Sequence, residues 1–66
     1  MNEMQESANN LFMVLYADYR YDGRRSCVTY FAKTYREVKR MFFEEFKNEP
    51  VSWLGMELLQ YGFGAV

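Results

Sequence analysis

Leu11, Phe12, Met13, Val14, Leu15, Tyr16 and Ala17 form a run suited to extended structure that is apolar on both alternating faces. In a chain of 66 residues that is a severe constraint, because a domain of this size buries only about 60% of the surface its unfolded form exposes. One face of the run can pack on the chain's own core. The other needs a second surface.

Small domains offset a limited core with disulfides, a metal or oligomerisation. The chain has no histidine, and Cys27 is its single cysteine. An intramolecular disulfide is therefore impossible, and a Cys/His zinc site would have at most one of its usual ligands. Oligomerisation or partner binding remains. Half of the residues are hydrophobic and a fifth aromatic, which predicts a folded chain. The net charge of -1 lacks the basic excess typical of nucleic-acid binders, although a local basic patch stays open. The lone cysteine suits a reducing compartment. The longest apolar run is far below the ~20 residues that cross a bilayer. A cytoplasmic protein without membrane association is expected.

Residues 1–10 are polar and acidic, without apolar periodicity, and read as a flexible arm. Residues 11–61 form the single domain, and residues 62–66 a flexible tail. Asp22-Gly23 between two strand-like runs is the pair that a two-residue type I′ hairpin turn prefers, and it predicts Ala17 opposite Val28, Leu15 opposite Tyr30 and Met13 opposite Ala32. The other face then carries Phe12, Val14 opposite Phe31, Tyr16 opposite Thr29, Asp18 opposite Cys27 and Arg20 opposite Arg25. Thr34-Tyr35-Arg36-Glu37 is a capping box, in which the Thr34 hydroxyl accepts from the Glu37 amide and the Glu37 carboxylate reaches back to the Thr34 amide.

The helix that starts there presents Tyr35, Val38, Phe42 and Phe46 as one stripe, with Asn48-Glu49-Pro50 as its stop. Phe43 and Met41 fall outside the stripe and are candidates for exposed contact. Over residues 51–61 a helix would place Glu57 and Gln60 beside Trp53 and Met56. A strand gives Leu54, Met56 and Leu58 one apolar face, leaving Trp53, Glu57, Leu59 and Tyr61 on the other. The strand reading gives an α+β fold: an antiparallel hairpin and a third strand in one sheet, with a single helix on one face (ββαβ).

The residues of a reaction centre are missing. Without histidine there is no usual base or nucleophile partner at neutral pH. Glu44 and Glu45 are helical neighbours that diverge by about 100°. Asp18 and Asp22 suit turn formation and charge pairing, and Cys27 a packed, inert thiol. No catalytic residue, metal ligand or cofactor is assigned, and the protein is read as no enzyme.

Two surfaces carry interaction chemistry. The hairpin tip interleaves Tyr19 and Tyr21 with Arg20, Arg24 and Arg25, a composition found at protein hot spots and in single-strand or anion binding. The second sheet face, with Phe12, Val14, Tyr16, Phe31, Trp53 and Tyr61, exceeds the ~400 Å² of apolar patch that soluble monomers usually expose. Either the arm or the tail folds over it or another chain does; the arm is too polar and the tail too short to cover it all, which favours a protein target, a homodimer or a larger homo-oligomer. Nucleic acid, or an anionic nucleotide held between protomers, is the alternative partner at the tip.

Strand, Asp-Gly turn, strand, the helix start Ala32-Lys33-Thr34-Tyr35-Arg36-Glu37 and a last extended segment together resemble short phage-encoded ββαβ proteins. Some of these inhibit host enzymes such as RNA polymerase or bacterial defence systems. The resemblance implies a phage or mobile-element inhibitor that occludes a larger protein. Residues 31–38, Phe-Ala-Lys-Thr-Tyr-Arg-Glu-Val, are also similar in part to the arm-binding domain of phage-type integrases, whose sheet is basic where this one is aromatic and aliphatic.

Overall fold

The structure, a computed structural model, describes residues 9–63 and has the expected α+β fold. A three-stranded antiparallel sheet carries one helix. The elements are β1 (Asn9–Asp18), β2 (Arg24–Ala32), α1 (Tyr35–Glu45) and β3 (Val51–Phe63), with a short 3-10 turn at Tyr19–Tyr21. β1 is central, in the order β2-β1-β3. Both neighbours run antiparallel to β1, so they are parallel to each other and their connection must cross it. α1 makes the crossing.

The expected arm and tail are both shorter than their sequence boundaries. Asn10 already pairs in β1, and Gly62 and Phe63 belong to β3. The Asn10 side chain accepts from the Gly62 amide at 2.8 Å and donates to the Lys33 carbonyl at 3.2 Å, which ties the ends of both outer strands to the middle one. The remainder of the predicted arm and tail, residues 1–8 and 64–66, lies outside the described residues.

The hairpin departs from the predicted two-residue turn. Its connection runs from Tyr19 to Gly23, with Asp22 and Gly23 both at positive φ (62° and 77°). The Gly23 amide closes it by donating to the Asp18 carbonyl at 3.0 Å. The longer loop moves Val14 opposite Val28 and Phe12 opposite Tyr30. This is an odd change of register, so each β2 residue joins the opposite set of β1 residues.

As a result the two faces of β1 are exchanged relative to the expectation, while those of β2 are kept. Phe12, Val14 and Tyr16, predicted to meet a second molecule, are buried with Ala32, Val38 and Phe42 in the core. The Tyr16 ring lies 5.6 Å from Phe42 and 4.9 Å from Phe46 between centroids. Full burial of Val14, Val38 and Phe42 stabilises the fold by roughly 1.5–3 kcal/mol each. Leu11, Met13 and Leu15, predicted to meet the helix, lie on the far side.

Thr34 caps α1 as expected, accepting from the Glu37 amide at 3.2 Å, whereas the Glu37 carboxylate takes the Lys33 amide (2.9 Å) and not that of Thr34. The helix stops at Glu45, short of Pro50, and Phe46 is its C-cap. Val38 and Phe42 face the sheet, and Met41, expected at the surface, packs on the core. Tyr35 falls off the buried stripe and is exposed.

β3 is a strand, as its pattern predicts, but its alternation is interrupted. Leu15 opposes Gly55 and Tyr16 opposes Trp53, so Leu54 is an extra residue; Leu59 is another, between the partners of Leu11 and Phe12. Each bulge resets the alternation. Val51 and Trp53 before the first bulge, and Met56 and Leu58 after it, therefore all pack toward the helix.

Candidate interaction surfaces

α1 covers one side of the sheet. On the other side, register places Leu11, Met13 and Leu15 between Phe31, Thr29 and Cys27 of β2 and Gln60, Glu57 and Gly55 of β3. Met13 and Leu15 are only half-buried, while Phe31, Leu54 and Leu59 are 49%, 44% and 45% exposed. A shallow depression of about 140 Å³ opens between Met13, Leu15, Gly55 and Glu57. Its floor is open at Gly55, where a Cβ would have no neighbour within 4 Å. Cys27 is exposed on this face rather than packed.

Of the residues predicted to form a partner-binding face, the structure places Phe31 on the side of the sheet opposite α1. Phe12, Val14 and Tyr16 are core. Trp53 sits on the helix side, edge-on to Phe42 at 5.3 Å and stacked with Phe43 at 5.8 Å. Tyr61 is exposed near the end of β3. The residues that replace them, Leu11, Met13 and Leu15, were visible in the sequence as the alternate set of the same run; only the register assigns them outward.

At the hairpin tip, Tyr19 and Tyr21 are exposed, as are Arg24 and Arg25. Arg20 is engaged within the chain. Its guanidinium meets Asp18 at 2.7 Å and Glu49 at 3.1 Å, and lies 5.7 Å from the centre of the Tyr21 ring. The Asp18 hydrogen bond holds the guanidinium firmly protonated, with its pKa above the ordinary arginine value. The expected opposition of Arg20 and Arg25 does not occur, since Arg25 faces Ala17 and Arg24 faces Asp18. The tip is latched to the segment before β3 by the Tyr19 amide, which donates to the Pro50 carbonyl at 2.8 Å.

Among the described residues, no three His, Cys, Asp or Glu side chains come together, and no helix is long and apolar enough to cross a membrane. No family model matches the chain, and no curated protein or solved structure gives a significant match.

Proposed function

We propose that this chain is a non-enzymatic interaction protein that docks the face of its sheet opposite α1 on another protein. The observation that carries this reading is the apolar set Leu11, Met13, Leu15 and Phe31 on the side of the sheet away from α1, with Leu54 and Leu59 exposed at the bulges of β3.

Size favours a larger target over a tight homodimer. Ten residues of β1 at ~3.3 Å each, across three strands ~4.8 Å apart, give a projected face of roughly 450 Å². Two copies would bury roughly twice that, below the ~1,200 Å² at which stable interfaces begin. Self-pairing through this face is therefore weak and concentration-dependent. A target that wraps the face and engages the exposed tip residues Tyr19, Tyr21, Arg24 and Arg25 gains what a second copy lacks. In the order of its elements the chain resembles short phage-encoded ββαβ inhibitors, and we extend their mode of action, occlusion of a host or defence protein, to it.

The test is capture of a target from host lysate by the wild type and by Leu15→Asp, with light scattering on both. We expect Leu15→Asp to keep its circular dichroism and lose the target, and the wild type to be monomeric at low micromolar concentration. A wild-type dimer persisting at nanomolar concentration, or a Leu15→Asp variant that captures the same target equally well, overturns this reading.

A further inference from the structure

On the opposite side of the molecule, the outer surface of α1 combines a fixed aromatic ring with segregated positive charge. Phe43 is 49% exposed, yet its ring is held. It stacks on Trp53 (5.8 Å, 22°) and takes Phe42 edge-on (5.1 Å, 85°). One ring face is thus backed by Trp53. Within α1 its neighbours on the helix surface are those three, four and seven positions before it, and these are Arg40, Lys39 and Arg36. They are three of the eight basic residues in a chain of net charge -1.

The carboxylates of α1 are turned to other work. Glu37 accepts from the Lys33 amide and Glu45 from the Tyr30 hydroxyl, and Glu44 makes only a 3.8 Å exposed pair with Lys47. Arg36 and Arg40 have no ion pair among the described residues. The Lys39 ammonium stands 5.9 Å from the Trp53 ring and 6.0 Å from that of Tyr35. Residue 39 is midway in the helix between two exposed rings, Tyr35 and Phe43, which are eight residues and about 12 Å apart along its axis.

We propose that this surface binds single-stranded nucleic acid, with a base stacked on Phe43 and phosphates held by Arg36, Lys39 and Arg40. Charge alone would suit any polyanion, including an acidic protein segment. The second requirement decides: a half-exposed ring backed by Trp53 rewards a partner with planar faces next to its negative charges, which is the mode of sequence-tolerant single-strand binders. A duplex hides those base faces in its own stack. This inference is independent of the sheet-face reading, because it uses residues of the other side.

The experiment is fluorescence anisotropy of a labelled 20-nucleotide oligothymidine with the full chain, followed by emission of Trp53, the single tryptophan. We expect binding near 50 mM salt that weakens as salt rises, with a change in Trp53 emission. Phe43→Ala, checked as folded by thermal melting, should bind about 5- to 150-fold more weakly. Arg36→Ala with Arg40→Ala should flatten the log–log salt slope by about 1.4. Leu15→Asp should bind as wild type does, which separates this surface from the sheet face. Absence of binding at 50 mM salt, unchanged affinity in Phe43→Ala, or equal affinity for a duplex overturns the proposal. Displacement of the oligonucleotide by polyglutamate at equal charge concentration overturns it in favour of an acidic protein partner.

Discussion

Asp18 accepts the guanidinium of Arg20 at two points, Nε to Oδ1 at 2.9 Å and Nη2 to Oδ2 at 2.7 Å, and its Oδ1 also takes the Arg20 amide at 3.0 Å. A buried carboxylate at the end of the central strand is thereby neutralised by a residue two positions on, and the same three contacts wind the chain into the 3-10 turn. The carboxyl is held below its ordinary value of 3.8, chiefly by the Arg20 side-chain hydrogen bond, against the opposing effect of burial. Its folded pKa lies below the unfolded one. The stabilisation is therefore complete above about pH 4 and is lost as pH falls through the lowered folded value. Arg20→Ala should lower the thermal midpoint at pH 7, and its deficit against wild type should narrow below pH 4. A deficit that stays constant down to pH 2 would remove Asp18 as its source.

Two glycines should respond to alanine in different ways. Gly23 has φ of 77°, and a Cβ there would approach Tyr19 Cε1 to 3.2 Å. Gly23→Ala is expected to cost about 1–2 kcal/mol, the penalty of the left-handed region for a residue with a Cβ. At Gly55 a Cβ meets nothing within 4 Å and no positive φ occurs. Gly55→Ala should be neutral or stabilising by up to about 1 kcal/mol, through a less flexible unfolded chain. Urea unfolding of both variants checks the pair, and a larger loss at Gly55 than at Gly23 would contradict the loop geometry.

Neighbouring residues of β1 should also differ sharply. Val14→Asp places a charge where Val38 and Phe42 close the core, which at several kcal/mol is enough to unfold a domain this small. Leu15→Asp puts the same charge on the face opposite α1 and should cost at most about 1 kcal/mol. Circular dichroism of the two variants decides; a folded Val14→Asp would return the faces to the arrangement that the Asp22-Gly23 turn predicts.

That contrast shows where the sequence is legible. The elements are set by local chemistry: the Thr34 hydroxyl starts α1, aromatic and β-branched residues hold β1 and β2 extended, and the strand reading of residues 51–61 agrees with β3. Facing is not local. It depends on register parity, which the Asp18–Arg20 contact and the five-residue loop control, and Asp22-Gly23 by itself points to a shorter turn. Leu54 and Leu59 break the alternation of β3 in a way that no periodicity reveals. Phe43 is legible as an off-stripe aromatic among cations; its support by Trp53 depends on the first bulge.

Tyr30 couples β2 to the last turn of α1, its hydroxyl donating to Glu45 Oε1 at 2.5 Å. Burial first, and then that hydrogen bond, raise the phenol above its ordinary value of 10.0. Because the folded pKa exceeds the unfolded one, the stabilisation is whole below about pH 10 and declines as pH rises from there through the folded value. Tyr30→Phe should cost about 1 kcal/mol at pH 7, the net worth of an ordinary intramolecular hydrogen bond, and should lose the part of the alkaline decline that Tyr30 causes. Urea midpoints of both proteins between pH 7 and pH 11 supply the measurement. Coincident curves across that range would show that the hydroxyl contributes nothing to holding α1 against the sheet.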